Sequence, residues 1–105
     1  MLAQVSIMPV GTGEETKELT AKTLKIIEKS ELTYQLTAMG TIIEGEWDEV
    51  LFLIKKCYEE VKRFADRVVV NVVIDDRKEM SDRLRGAVLD VEYAVGGELN
   101  THGLT

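Results

Sequence analysis

Three side chains before a glycine give the first chemical clue. In the run from Leu36 to Glu46, a strand leads into Gly40, and alternation places Gln35, Thr37 and Met39 on one of its faces. An amide, a hydroxyl and a thioether make a poor hydrophobic core and a serviceable small-molecule pocket. Two other strands add comparable groups on the matching face: Gln4, Ser6 and Met8 early, Val69, Asn71, Val73 and Asp75 late. Together they offer hydrogen-bond donors and acceptors, polarizable thioethers and a carboxylate for a flat polar molecule.

Other chemistries are poorly supplied. His102 stands alone near the C-terminus, and Cys57 sits on the apolar stripe of a helix, so neither a metal cluster nor an activated thiol is expected. One cysteine permits no intrachain disulfide, which points to a reducing cytoplasm. The net charge of −6 argues against a nucleic-acid surface. An RNA-recognition sheet would also need aromatic side chains, and this face has none. No apolar run approaches the ~20 residues needed to cross a bilayer, and the first residues lack the basic region of a signal peptide. Pro9–Gly13 precedes a helix and could present backbone N–H groups to a phosphate. A plain connecting loop is the other reading, and no Gly-Lys-Ser/Thr follows as a P-loop requires.

The elements that position these groups follow from periodicity. Leu2–Pro9 alternates as a strand that Pro9 should end. A helix is predicted over Gly13–Ser30, with Thr12 and Glu15 as a capping box and Leu19, Thr23, Ile26, Ile27 and Ser30 along one side. Strands are predicted at Thr33–Met39 and Thr41–Gly45. A second helix, Trp47–Phe64, carries Trp47, Val50, Leu51, Ile54, Cys57, Tyr58, Val61 and Phe64 on its stripe, with Phe52 and Leu53 off it. Arg67–Asp75 is apolar on both faces except at Asn71, which predicts a central strand covered on both sides. A short helix is expected from Ser81 to Leu89. At 105 residues the chain makes one domain, set at 1–90, with 91–105 as a C-terminal extension.

The order strand, helix, strand, strand, helix, strand predicts an α+β, ferredoxin-like βαββαβ sandwich. Its antiparallel four-stranded sheet has both main helices on one face, with a short C-terminal helix added. The other face would expose Met8, Met39, Val69 and Val73, so a second subunit is expected to cover it.

Three segments, Ile7-Met8-Pro9-Val10-Gly11-Thr12-Gly13, Met39-Gly40-Thr41-Ile42-Ile43-Glu44-Gly45 and Ile74-Asp75-Asp76-Arg77, occur in an order and spacing that resembles the small thiamine-binding protein family. Its relatives include the thiamine/hydroxymethylpyrimidine-binding YkoF-like proteins. The resemblance spans about residues 1–89. It implies a ferredoxin-like fold, dimers that pack their sheets face to face into homotetramers, and non-catalytic binding of thiamine or its pyrimidine moiety as ligand, with no cofactor. The positions it carries over are Ser6, Met8, Thr37, Met39, Thr41, Glu44, Asn71 and Asp75.

Each position keeps a second reading. Asn71 either meets the aminopyrimidine or bonds across a subunit interface, and Ser6 and Thr37 either orient a ligand or serve structure. Met8 and Met39 either contact a flat ring or pack an interface. Glu44 and Asp75 either balance the thiazolium charge or hold a turn or salt bridge. Acylphosphatase chemistry on the same topology needs an arginine before the first helix, and the first arginine here is Arg63. A regulatory or structural oligomer binding another metabolite between subunits, as ACT-like domains do, is the alternative function.

Overall fold

A computed structural model describes residues 1–78 and 82–101, with the backbone alone at Glu14. The chain forms β1 (Leu2–Val10), a 3-10 turn (Gly13–Glu15), α1 (Thr16–Lys29), β2 (Thr33–Thr37), β3 (Gly40–Glu44), α2 (Trp47–Lys62), β4 (Arg67–Asp75) and α3 (Arg83–Val95). The four strands pair antiparallel in the order β2-β3-β1-β4. This is the α+β sandwich that the element order predicts.

Alternation decides which side chains meet the helices. Ala3 and Val5 of β1 and Ile43 of β3 turn inward and are buried with Ile27 of α1 and Val50, Leu53, Ile54 and Cys57 of α2. On α1, Leu19, Thr23 and Ile27 recur every four residues and form its buried side. The Thr23 hydroxyl stays satisfied there by donating to the Thr20 carbonyl at 2.7 Å. Leu53 joins this core although the stripe drawn from sequence leaves it out, while Trp47 and Phe64 on that stripe stay largely exposed. The apolar arc of α2 is therefore rotated toward Leu53, which meets α1 and the sheet.

Several boundaries differ from expectation for identifiable reasons. β1 runs through Pro9 to Val10, because beyond Val5 it has β4 on one side and no β3 on the other. A strand with a single neighbour can carry a proline whose nitrogen faces the open side. Thr12 makes no capping bond. Its hydroxyl meets that of Thr16 at 2.9 Å, and α1 starts at Thr16 after the 3-10 turn. The capping box lies on α2 instead, between Glu46 and Glu49.

The β2–β3 hairpin is tighter than predicted. Ala38 and Met39 form its two-residue turn, closed by the Thr37–Gly40 pair. Gly40 has a φ of +147°, and a Cβ there would stand 2.8 Å from the Val5 carbonyl oxygen. Only glycine satisfies both conditions.

β4 is an edge strand, not a central one. The absence of polar alternation reports exposure on both faces awaiting cover, and Val70, Val72, Val73 and Ile74 remain accessible. α3 extends to Val95, beyond the predicted Leu89 and without a break across residues 90 and 91. Its predicted start, Ser81, lies outside the described residues. Among the described residues no helix is long and apolar enough to cross a membrane.

Candidate functional site

The sheet face opposite α1 and α2 is divided by α3. Leu84, Ala87 and Val88 lie against Leu2, Gln35, Thr37 and Ile42, enclosing a groove of about 620 Å³. This covers β2, β3 and the start of β1. The rest of β1 and β4 stays bare, with Gln4, Ser6, Met8, Val69, Asn71 and Val73 on its surface.

Glu44 fixes the cover. Its carboxylate accepts from the backbone N–H of Arg83 at 2.5 Å and from that of Leu84 at 3.4 Å. Asp82, which occupies the capping position, has a left-handed backbone and makes no side-chain capping bond. A carboxylate borrowed from the sheet therefore satisfies the free donors and the positive end of the α3 dipole. Glu44 is thus engaged in structure. A bulge at Gly40 does not turn it to the helical side, since it pairs with Leu2 and Thr33 on the open face.

The structure separates the other positions. Ser6 stands opposite Asn71, and Met8 opposite Val69, in the β1–β4 ladder. These three, with Gln4 and Val73, form one cluster. Asp75 lies at the far end of β4 beside Leu2, roughly 13 Å from Asn71 at strand spacing. Thr37 borders the α3 groove, with its hydroxyl donating to the Gly40 carbonyl at 2.7 Å and accepting from the Met39 N–H at 3.2 Å. Met39 lies in the hairpin turn, 80% exposed, away from the face that extended alternation assigned to it. Thr41 points into the helical side and is 5% exposed. The structure does not bring Thr41 or Met39 to the cluster, because the strand ends two residues earlier than the pattern suggested.

What sequence reading missed is the part played by α3. Leu84, Ala87, Val88, Val91 and Val95 carry a helical spacing visible in the sequence. That signal predicts an amphipathic helix seeking an apolar surface, and half of the open sheet face is what it finds.

The chemistry available at the bare cluster is binding. Asn71 offers a donor and an acceptor, Ser6 a hydroxyl and Met8 a polarizable contact. Cys57 lies on the other side of the sheet, where burial pushes its thiol up to about 11 and leaves it a weak nucleophile at neutral pH. Among the described residues no group of His, Cys, Asp and Glu could hold a metal ion.

Comparison with known proteins places this geometry. The model of a family described as "Thiamine-binding protein" matches residues 3–92. The UPF0045 protein MJ1052 of Methanocaldococcus jannaschii is 34% identical over 84 residues, covering 80% of this chain and 84% of that one. Its crystal structure superposes with a TM-score of 0.79 over 86% of this chain and 93% of that chain, at 32% identity. The UPF0045 protein YqgV of Bacillus subtilis is also 34% identical, over 98 residues covering 86% of this chain and 92% of the relative. A proposed thiamine biosynthesis/salvage protein of Thermotoga maritima shares the fold, with a TM-score of 0.72 at 18% identity over 82% of this chain and 94% of that one. By the family match across the sheet, both main helices and most of α3, and by these relatives, the chain belongs to the thiamine-binding protein family.

Proposed function

We propose that this protein binds thiamine or its hydroxymethylpyrimidine moiety, without catalysis, on the bare half of the open face, where a second subunit covers it. The observation that carries this reading is the adjacency of Ser6 and Asn71 beside Met8 and the exposed Val73. An aminopyrimidine needs a donor and an acceptor in one plane, and the Asn71 amide has both. Methionine and valine suit the ring faces. Asp75, at the end of the same strand, is the carboxylate left to balance a thiazolium, since Glu44 caps α3.

The cover follows from the apolar surface. Met8, Val69 and Val73 on the sheet and Val91 and Val95 on α3 gain by leaving water, about 1.5–3 kcal/mol for each fully buried side chain. A homotetramer of dimers with sheets stacked on their bare halves buries them and encloses the ligand. The protein would hold thiamine as ligand, with no cofactor, in the cytoplasm.

Calorimetric titration with thiamine, its phosphates and hydroxymethylpyrimidine tests this reading, repeated on Asn71→Ala at unchanged oligomeric state. Saturable micromolar binding that weakens in the variant is expected. Absence of heat with every one of these compounds overturns the ligand and leaves the fold intact.

A further inference from the structure

The two edges of the sheet differ in a way that points to one occupant for β4. β2 spans five residues, Thr33–Thr37, and α3 flanks it. β4 spans nine, Arg67–Asp75, six of them valine or isoleucine, and its outer backbone edge has no neighbour among the described residues. Such an edge, long and apolar on both faces, invites another strand, and native proteins otherwise blunt it with charge, proline or a bulge. Here the only charges stand at its two ends.

The order of residues on β4 is palindromic in chemistry about Asn71. We propose that β4 pairs antiparallel with β4 of a second copy, with the two-fold axis passing through Asn71, to give a continuous eight-stranded sheet. In this register Arg67 faces Asp75 of the partner subunit, Val68 faces Ile74 of the partner subunit, Val69 faces Val73 of the partner subunit and Val70 faces Val72 of the partner subunit. Every rung is apolar on apolar or cation on anion, apart from the axial rung, where two amides meet and can bond each other. Arg67 and Asp75 are exposed and make no other ion pair among the described residues. Moving the axis to Val70 sets Arg67 against a valine, and moving it to Val72 sets Asp75 against one. The Asn71 register alone uses all nine residues and matches both charges.

The pairing also changes the open face, a consequence that rests on the ligand reading given above. Ser6 and Asn71 would continue across the axis into Asn71 of the partner subunit and Ser6 of the partner subunit. The bare halves would merge into one floor about 14 Å across at the spacing of four strands. The two α3 helices, each over its own β2 and β3, would stand as walls on either side. A ligand at Asn71 would then meet both subunits.

Hydrogen exchange and light scattering on the full chain test the dimer without any ligand. Alternate β4 amides bond β1, and the remainder point outward. The outward amides are expected to exchange at least tenfold more slowly than the free-edge amides of β2, with protection that fades on dilution as the mass falls. Arg67→Glu sets like charges together at both ends and should raise the dimer dissociation constant about tenfold. Arg67→Glu combined with Asp75→Arg restores opposite pairs and should return it to within about threefold. Outward β4 amides exchanging as fast as those of β2, whatever the mass, overturn the interface. Failure of the double variant to recover, with native circular dichroism retained, overturns the register. A protected β4 in a protein that gives no heat with thiamine leaves the dimer standing and removes the ligand.

Discussion

The two halves of the open sheet face have nearly the same polarity and opposite fates. On β2 and β3, Gln35, Thr37 and Ile42 lie under α3, and Glu44 is bonded to the helix start. On β1 and β4, Ser6, Met8, Asn71 and Val73 lie bare. The difference is length. α3 begins beside Glu44 and its 13 residues reach across part of one face, so it cannot also cover the ribbon where β1 and β4 run on past β3. A covered half holds its polar groups in internal hydrogen bonds, and a bare half keeps them for a partner or ligand.

The comparison is broken most severely at Gly40. Gly40→Ala places a Cβ against the Val5 carbonyl in an unfavourable backbone region, and should cost about 1–3 kcal/mol in chemical denaturation. The damage should fall on the β1–β3 ladder and leave β1–β4 exchange protection in place. Glu44→Ala removes the cap of α3, for about 1–2 kcal/mol. Amide exchange should quicken through α3, while thiamine affinity on the bare half shifts less than twofold. An equal loss of affinity would mean that the two halves act as one site.

Asn71→Ala should do the reverse: thiamine affinity falls about tenfold, or ~1.4 kcal/mol, with the unfolding midpoint of the dissociated chain nearly unchanged. Calorimetry alongside denaturation separates these effects. The smallest effect at neutral pH belongs to the helical side. The Cys57 thiol is pushed up to about 11 from 9.0, chiefly by burial. Its contribution to stability is complete below pH 9 and is lost as pH rises toward 11, because the unfolded thiol ionises first. Native protein should therefore resist alkylation at pH 8, and its stability should decline between pH 9 and 11 less steeply in Cys57→Ala.

How much of this was legible can be judged from particular residues. The alternation of Ala3 and Val5 against Gln4 and Ser6, and the four-residue recurrence of Leu19, Thr23 and Ile27, gave elements, order and inner face without any structure. The cluster of Ser6, Met8 and Asn71 followed from the same alternation, because period two is rigid once a strand is placed. Met39 and Thr41 went astray because a turn of two residues, rather than one at Gly40, ended the strand early. Glu44 could not be read at all. Its partner backbone lies 39 residues along the chain, and a side-chain-to-backbone bond of that span leaves no local pattern.

β4 shows the division most clearly. A strand apolar on both faces is the same sequence whether it lies mid-sheet between helices or at an edge awaiting another subunit. Periodicity reports which residues leave water, not what they meet when they do. The sequence by itself determined the strands, the helices, the core face and the polar groups opposite it. Tertiary structure alone decided that α3 covers one half of that face, that Glu44 holds it there, and that β4 stands at the edge. Those outcomes depend on how far each element reaches in space, and reach is a property of the assembled fold.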